Sequence, residues 1–361
     1  MRKAYRIIGV AAAVVMVATA CGKKPTTSGA GGGKNAAFKA CMVTDTGGID
    51  DRSFNQSAWM GMQATQKQLG ITIKFLQSTT QNDYTPNINA LIQQKCNIIV
   101  TNGFRMGDAT KMAATANPSE KFAIIDFGYT PPISNIEPLL FQTDQAAFLA
   151  GYLAAGVTKT GKVGTWGGDK FSSVTIFEDG FTAGVRYYNK QKGTHVLVLG
   201  WNPAKQNGLF IGGNNAFVDT DTGKQLANSL MDQGADIILP VAGKSGLGTM
   251  AAIQERGPNF HGIWVDTDGC VNAPQFCNFF ITSVEKRIAV AVGASVTSAF
   301  MGSFQGGTGF LGTLQNGGTD ISPFHMFDSQ VPQTLKDELT MIKQGIIGGT
   351  ISVKPQDYPA A

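Results

Sequence analysis

Short apolar runs recur along the chain and are separated by segments long enough to form helices. Almost every position within these runs is apolar, which is typical of strands buried on both faces of a parallel sheet. The pattern predicts strands at 38–44, 71–77, 97–102, 121–127, 162–167, 195–200, 235–242, 260–266 and 279–284. Strands that alternate with helices predict an α/β protein, and this number of strands is enough for two doubly wound parallel sheets.

Most of the predicted strands end in a short polar or glycine-rich corner. Three corners in each half of the chain have this character: TDTGG, TNGF, IDFG, WGGD, PVAGKSG and VDTDG. Open α/β sheets bind ligands beyond the carboxyl ends of their strands, close to helix N-termini. Any one corner could be a simple turn, but the whole set predicts a single ligand held between two lobes.

The segment after the first strand predicts a helix that begins with an aromatic residue and an amide. Ser53 to Gln56 reads S-x-x-Q, so Ser53 is the predicted N-cap of a helix that ends at Gly70. Phe54 and Asn55 then lie in the first helical turn and face the corner. An aromatic ring beside an amide suits a planar, polar heterocycle, although Phe54 could equally pack as a hydrophobic staple of its own helix.

The N-terminal residues are not expected to belong to the fold. A basic stretch, MRKAYR, precedes an apolar run, and Cys21 follows that run. This pattern is typical of a secretory signal over residues 1–20 with a cleavage site that resembles a lipobox. We expect Cys21 to carry lipid and residues 21–37 to form a flexible tether, so that the protein is exported and anchored to the outer face of the cell membrane. The alternative is cleavage followed by free secretion.

Composition and charge exclude two broad classes of protein. With 43% hydrophobic and 15% charged residues, the chain is globular and not disordered. The net charge of +4 falls to about +1 when the three basic residues of the signal are removed, so we expect no binding of a nucleic acid polymer. The length of 361 residues fits two domains.

The cysteines suggest disulfide bonds and no metal site. If Cys21 is lipidated, four cysteines remain, and an even number in an exported protein favours disulfides. Cys270 and Cys277 are the predicted pair, whereas Cys41 and Cys96 could be bridged or could remain buried thiols. The cysteine spacing and the three histidines do not fit a zinc site.

Several polar residues at strand ends are candidates for ligand binding. Asp45 and Asp126 end strands of the first half, where each carboxylate could accept a hydrogen bond worth about 1.5–3 kcal/mol or, alternatively, cap a helix. Asn102 and Gly103 end the third strand, where glycine permits close approach to a ligand or simply forms a tight turn. Asp266 ends a strand of the second half, and its carboxylate could accept from both hydroxyls of a cis-diol at once.

The stretch TDTGGIDDRSFNQSAWMG closely resembles the signature of the basic membrane lipoprotein family. These are purine-nucleoside receptors that serve as substrate-binding lipoproteins of ABC importers. Further similar motifs follow in the same order: DYTPNINALI, KFAIIDF, QAAFLAGYLAAGVTKTGKVGTWGG, EDGFTAGVRYYN, DQGADIILPVAG and VDTDG. The resemblance implies a type I periplasmic-binding-protein fold whose two lobes are joined by crossover hinge segments. We expect the N-terminal lobe at 38–143 plus about 268–316 and the C-terminal lobe at 144–267 plus about 317–361.

The resemblance also implies roles for individual residues. Phe54 is expected to stack on the base, Asn55 to line the pocket, and Lys286, at the start of the helix after the last predicted strand, to be a basic partner near the sugar. Without the resemblance, Lys286 would be read as a solvated surface lysine. The same resemblance supports Asp45 and Asp126 as ligand-binding residues.

The second lobe departs from the family in the segment VAGKSGLG. Gly243 and Lys244 are candidate ligand-binding residues here, but no aromatic residue lies in this part of the chain to complete a sandwich around the base. The second stacking wall would then come from Phe177 or Trp201, or would be absent.

The function implied by the resemblance is that of a monomeric receptor, not an enzyme, and without a cofactor. It would deliver a nucleoside, expected to be a purine nucleoside, to an ABC transporter permease. One alternative is a receptor for a sugar or another small polar ligand. Another is an exported nucleoside hydrolase that uses the clustered aspartates with calcium. The sequence contains no G-x-S-x-G or H-E-x-x-H motif, and its three histidines form no catalytic arrangement.

Overall fold

The computed structural model of the protein describes residues 33–360. The predicted signal peptide, Cys21 and the predicted tether up to residue 32 lie outside these described residues. The last part of the predicted tether is packed and does not act as a linker: the Asn35 N–H donates to Gly70 O at 3.1 Å, and Thr72 Oγ1 donates to Ala36 O at 2.8 Å. Over residues 33–360, every helix is too short or too polar to span a lipid bilayer.

The first lobe contains a six-stranded sheet in which all neighbouring strands are parallel. In spatial order it runs β13-β5-β4-β3-β1-β2, where the strands are β1 (Lys39–Val43), β2 (Thr72–Leu76), β3 (Ile98–Asn102), β4 (Phe122–Ile125), β5 (Ile136–Phe141) and β13 (Phe310–Gly312).

The second lobe repeats this arrangement with a single antiparallel edge strand. Its spatial order is β14-β12-β11-β10-β6-β7, with β6 (Lys162–Gly167), β7 (Leu197–Leu199), β10 (Ile237–Val241), β11 (His261–Asp266), β12 (Phe280–Lys286) and β14 (Thr319–Ile321). A separate two-stranded ribbon is formed by β8 (Trp201–Asn202) and β9 (Asn207–Gly208).

Helices cover both faces of each sheet, which explains why the strands are apolar throughout. In the first lobe, α1 (Phe54–Leu69) and α9 (Ile288–Phe300) pack on one face, and α2 (Tyr84–Gln93) and α3 (Gly107–Ala116) pack on the other. In the second lobe the two layers are α4 (Thr143–Val157), α5 (Ser172–Lys192) and α10 (Gln333–Ile347) against α6 (Thr220–Asp232) and α7 (Gly246–Arg256), with the short α8 (Gly269–Asn272) after β11.

Three crossings join the lobes and lie side by side. The chain passes from β5 to α4, returns from β12 to α9, and passes again from β13 to β14. The crossings are tied together, because Gln142 N–H donates to Gly312 O at 2.8 Å and Arg287 N–H donates to Gly318 O at 2.9 Å. This arrangement confirms the expected fold class of two sheet lobes joined by crossover segments.

One predicted lobe boundary is wrong. Residues from 268 were expected in the first lobe, but β12 pairs in parallel with β11 and therefore belongs to the second sheet. The return crossing lies at Arg287, between β12 and α9. The reason is that α8 and a 3-10 turn form a compact connection between β11 and β12, which the sequence pattern did not distinguish from a crossing.

All nine predicted strands are present, and their ends differ from the predictions by at most two residues. The prediction missed β5, β13 and β14, as well as the short ribbon. β13 and β14 have only three residues each and lie at sheet edges, and β5 contains Pro138, which the pattern reads as a strand breaker. Disulfide bonds join Cys41 to Cys96 in the first lobe and Cys270 to Cys277 in the second.

Candidate functional site

A cavity of about 620 Å³, counting the solvent at its mouth, lies between the two lobes. Five of the six polar corners predicted from the sequence contribute to its lining. The sixth, WGGD, contributes through Asp169, which forms an ion pair with the lining residue Arg105. The carboxyl ends of the strands of both sheets therefore meet at one place, as the doubly wound topology requires.

The floor of the cavity holds a buried ion pair between the lobes. Lys286, the last residue of β12, places its Nζ 2.6 Å from Asp126 Oδ2 in the first lobe and 3.7 Å from Asp266 Oδ1. The Lys286 side chain is only 3% exposed, so it is not a surface lysine. Lys286 was predicted to lie at the start of a helix, but it is the last residue of a strand, and the helix that follows begins at Ile288.

Burial and charge act in opposite directions on these groups. Burial by itself would lower the pKa of Lys286, but the nearby carboxylates of Asp126 and Asp266 raise that pKa above its usual value. Burial raises the pKa of Asp126, and the Lys286 ammonium opposes that rise. The Lys286 ammonium and the Asp126 carboxylate therefore each favour the charged form of the other, against the effect of burial.

The two aspartates occupy equivalent positions in the two lobes. Asp126 directly follows β4 and has φ of 64°, and Asp266 ends β11 and has φ of 67°. Both are thus in the left-handed region, which is uncommon for residues other than glycine and which is tolerated best by short polar residues. Backbone strain of this kind is often found at binding sites. In this protein both strained aspartates line the cavity.

The N-terminus of α1 is capped by Asp51 and not by Ser53. The Asp51 carboxylate accepts from the backbone N–H groups of Ser53, Asn55 and Gln56 at 2.8–3.0 Å. Burial raises the pKa of Asp51 to about 6, so the group is charged at neutral pH and lies where the helix dipole favours a negative charge. Ser53 is the N-cap by position but makes no capping hydrogen bond.

The Ser53 hydroxyl instead connects the two lobes. Ser53 Oγ donates to Asp266 Oδ2 at 2.6 Å, across the cleft. Nearby, Trp264 Nε1 of the second lobe donates to Arg52 O at 3.1 Å. The start of α1 therefore touches the carboxyl end of β11, and this contact closes one side of the cavity.

Asn55 and Asn102 form a buried amide pair behind the cavity wall. Asn55 Oδ1 accepts from the Asp45 N–H and from Asn102 Nδ2, both at 3.1 Å, and Asn55 Nδ2 donates to Asp51 Oδ2 at 3.2 Å. Asn55 lines the cavity, but Asn102 does not. Asn102 is fully buried and holds Asn55 in place, so its position is one step behind the cavity surface.

Asp45 lines the cavity at the end of β1. Burial raises the pKa of Asp45, while hydrogen bonds from the Tyr84 hydroxyl and the Thr46 N–H lower it. Gly103 lies beside it with φ of 111°, where a Cβ would come within 3.2 Å of Asp45 Oδ2 and 3.5 Å of a Phe54 ring carbon. Glycine therefore allows β3 to end against Asp45 and Phe54.

The two candidates from the second lobe have different positions. Gly243 lines the cavity with φ of 51°. The neighbouring Lys244 is exposed and is not among the lining residues, so the structure does not bring it to the site as the sequence analysis expected. Lys244 lies in the 3-10 turn that leads into α7, where its side chain faces solvent.

Aromatic residues form much of the wall. Phe54 is joined by four other phenylalanines, of which Phe177 was one of the two predicted candidates for a second wall: Phe104, Phe171, Phe177 and Phe217. Trp201, the other candidate, does not line the cavity and donates instead to Asp179 Oδ1 at 2.8 Å. The Lys286 Nζ lies 5.2 Å from the centre of the Phe54 ring and 5.3 Å from that of Phe177, so the cation stands near both rings.

Arg105 is a charged lining residue that the sequence analysis missed. Its side chain is 4% exposed, and Nη2 donates to Asp169 Oδ2 at 2.6 Å and to Gly213 O at 2.7 Å. The guanidinium carbon also lies 5.2 Å from the centre of the Phe171 ring and 5.4 Å from that of Phe217. The segment TNGFR contained this signal, because a basic residue lies two positions after the strand-end glycine.

A possible group of metal ligands lies outside this cavity. Within residues 33–360, Asp268, Cys270 and His325 place ligand atoms close together, with 2.7 Å between Asp268 Oδ2 and His325 Nε2. The Cys270 sulfur is already bonded to Cys277, so it is not a thiolate that could bind zinc. None of these residues lines the cavity.

Comparison with known proteins agrees with the geometry. Residues 38–354 match the family model described as ABC transporter substrate-binding protein PnrA-like. The chain is 30% identical to the ABC transporter nucleoside-binding protein BmpA of Lactococcus lactis, over 98% of this chain and 99% of that protein. It is 31% identical to the CD4+ T-cell-stimulating antigen of Listeria innocua, over 94% of both chains.

The fold also resembles that of solved transport proteins. An ABC transporter system solute-binding protein from Aeropyrum pernix superposes with a TM-score of 0.78 at 24% identity, covering 87% of this chain and 92% of the other. This similarity concerns the fold, and it agrees with the two-lobed architecture described above.

The buried ion pair predicts a large effect of removing its cation. Lys286→Met leaves Asp126 and Asp266 buried without their positive partner, which should lower the free energy of unfolding by about 3–5 kcal/mol in urea titrations at pH 7. Without Lys286, the pKa of Asp126 rises further above that of the unfolded chain. The folded state then binds more protons, so the loss of stability should shrink as pH falls from 7 toward 5.

Lys343→Met is the matched control for this experiment. Lys343 is bonded to Asp320, but its side chain is 31% exposed, so its removal should cost at most about 1 kcal/mol. Equal losses in the two variants, or a loss at Lys286 that does not change with pH, would contradict the assignment of a buried charge cluster.

Proposed function

The chain belongs to the family of PnrA-like ABC transporter substrate-binding proteins, and we propose that it is a receptor that binds a nucleoside in the cavity between its lobes. Membership of the family implies a small-molecule ligand and a permease partner. The nucleoside class is our proposal, and the observation that carries it is the combination of an aromatic slot with a polar, charged floor in one cavity.

The aromatic walls suit a flat ring. Phe54 and Phe177 lie on opposite lobes, on α1 and α5, and both line the cavity. A base held between them could stack on one or both rings, and each stacked aromatic contributes about 1–3 kcal/mol. Phe177 thereby supplies the second wall that is missing from the segment after β10.

The floor suits a pentose. The carboxylates of Asp126 and Asp266 have lone pairs left over after their contacts with Lys286 and Ser53, and they can accept from sugar hydroxyls. The Lys286 ammonium can donate to a sugar oxygen. Acceptors and a donor side by side match the hydroxyl groups of a ribose, which are both donors and acceptors.

Closure of the lobes would couple binding to transport. The polar contacts that join the lobes around the cavity include those of Ser53 with Asp266, Arg105 with Asp169, and Asp126 with Lys286. A ligand that touches both sides adds further contacts that exist only in the closed form. It therefore shifts the equilibrium toward closure, and a permease that recognises the closed form would receive only loaded receptor.

We also propose that the protein is exported and held at the outer face of the cell membrane by lipid on Cys21. This proposal rests on the basic and apolar N-terminal segment and on the small residues before the cysteine. It places a small-molecule receptor next to the permease to which it would deliver its ligand, and it gives the cavity access to the outside of the cell.

The ligand class can be tested directly. We expect mass spectrometry of the purified protein to detect a co-purifying nucleoside, and calorimetry on ligand-free protein to show binding of guanosine with much higher affinity than ribose. Preferred binding of ribose would favour a sugar receptor instead. Inosine incubated with the protein should be recovered intact, and its conversion to free base and ribose would show a hydrolase.

Two variants test the roles of the walls and the floor. Phe54→Ala removes the ring and Asp266→Asn removes the charged acceptor, and each should weaken nucleoside binding by about tenfold or more. Phe54→Tyr keeps an aromatic ring and should retain most of the affinity. Circular dichroism and thermal melts show whether each variant is folded, and unchanged affinity in both folded variants would exclude this site.

The lipid anchor has its own test. Cys21→Ala removes the acceptor of the lipid, so the protein expressed in a bacterial host should move from the membrane fraction to the soluble fraction, while nucleoside binding stays unchanged. Cys270→Ala serves as a control that alters another cysteine and leaves the anchor in place. Membrane retention of the Cys21 variant would contradict lipidation at this residue.

A further inference from the structure

Arg105 lines the cavity, and two nitrogens of its guanidinium are buried without a hydrogen-bond partner among the described residues. Nη2 is bonded to Asp169 and Gly213, but the buried Nε and Nη1 atoms have no hydrogen-bond partner among the described residues. A buried charged donor without a partner is costly, so a residue of this kind in a binding cavity points to an acceptor on the ligand.

The guanidinium is held in a fixed position. The Asp169 and Gly213 contacts anchor one end, and the Phe171 and Phe217 rings lie beside the guanidinium carbon at 5.2 and 5.4 Å. Phe171 is also stacked on Phe104, with 5.0 Å between ring centres. These contacts fix the orientation of the Arg105 guanidinium, so an acceptor on a bound ligand can pair with its free nitrogens.

Arg105 belongs to the part of the cavity where the base would lie. It is close enough to Asp45 for its charge to lower the pKa of that carboxyl against the effect of burial. Asp45 adjoins Gly103, which in turn adjoins the Phe54 ring. Lys286, Asp126 and Asp266 form a separate polar group that suits the sugar. Arg105 and Asp45 are then available to form hydrogen bonds with the edge of the base.

On the basis of the proposed function, we infer that Arg105 selects nucleosides whose base is a 6-oxopurine. Guanine and hypoxanthine present two acceptors, O6 and N7, along one edge, and arginine is the usual partner of that edge. Adenine presents N7 beside an amino group, which is a donor and would face the donors of the guanidinium. Adenosine would therefore leave part of the Arg105 charge unpaired, and a site built for hydrogen bonds discriminates strongly against such a ligand.

Asp45 complements this recognition. A 6-oxopurine carries an N1–H donor next to O6, and a carboxylate beside the guanidinium can accept from it. The pair of Arg105 and Asp45 thus offers a donor and an acceptor to adjacent atoms of the same ring.

The test compares inosine, guanosine and adenosine by calorimetry with the full-length mature protein. The wild type should bind inosine and guanosine about tenfold or more tightly than adenosine. Arg105→Met keeps the length of the side chain but removes its donors, so inosine and adenosine should then differ by no more than about twofold. If the Met variant does not fold, Arg105→Gln replaces the donors by an amide that suits the N6 and N7 edge of adenine, so the preference for inosine over adenosine should again be lost.

Asp169→Asn is the control that separates recognition from lobe closure. It removes the charge of the ion pair between the lobes but keeps a side-chain oxygen that can accept from Arg105, and the Gly213 carbonyl remains as the second anchor. Affinity for all three nucleosides should therefore fall together, and the preference for inosine should remain. Equal affinity of the wild type for inosine and adenosine, or an unchanged preference in Arg105→Met, would overturn this inference but leave the proposed function standing. If no nucleoside binds the wild type, the proposed function itself fails, and the inference fails with it.

Discussion

The ammonium of Lys286, buried between carboxylates of both lobes, is the interaction on which the arrangement of the cavity depends. Taking these charges out of water is costly, and only their mutual contacts offset that cost. The contact between Lys286 and Asp126 crosses the cleft, with 2.6 Å between their charged atoms. Any arrangement of the lobes that separates them must hydrate or neutralise the charges. The ion pair thus favours one relative position of the two sheets and leaves polar atoms at the floor of the cavity.

The same constraint appears in the backbone around the site. Asp126 and Asp266 both adopt left-handed conformations at the carboxyl ends of strands, one in each lobe. Such conformations cost about 1–3 kcal/mol each, and the surrounding sheets hold them in place. Because the two lobes have the same topology, equivalent strand ends reach the cleft from opposite sides. A ligand between them meets carboxylates from both lobes, which is what a receptor that closes on its ligand requires.

The sequence motifs located the site better than they assigned its contacts. The S-x-x-Q motif correctly marks the start of α1, but the capping carboxylate is that of Asp51, and the Ser53 hydroxyl is used across the cleft. Asn102 was expected at the surface of the pocket and lies one layer behind it. These differences share one cause: a short polar side chain has several partners within reach, and only the position of the other lobe determines which of them it takes.

What the sequence by itself determined is the set of parallel strands, the polar corners at their ends and the family signature. Buried strands must be apolar along their whole length, and corners that bind ligands must be polar or glycine-rich, so both leave a local pattern. Short edge strands such as β13 leave little pattern, and they were missed. Only the tertiary structure determined the burial of Lys286, the exposure of Lys244 and the entry of Arg105 into the cavity, because charge burial depends on partners that lie far away in the chain.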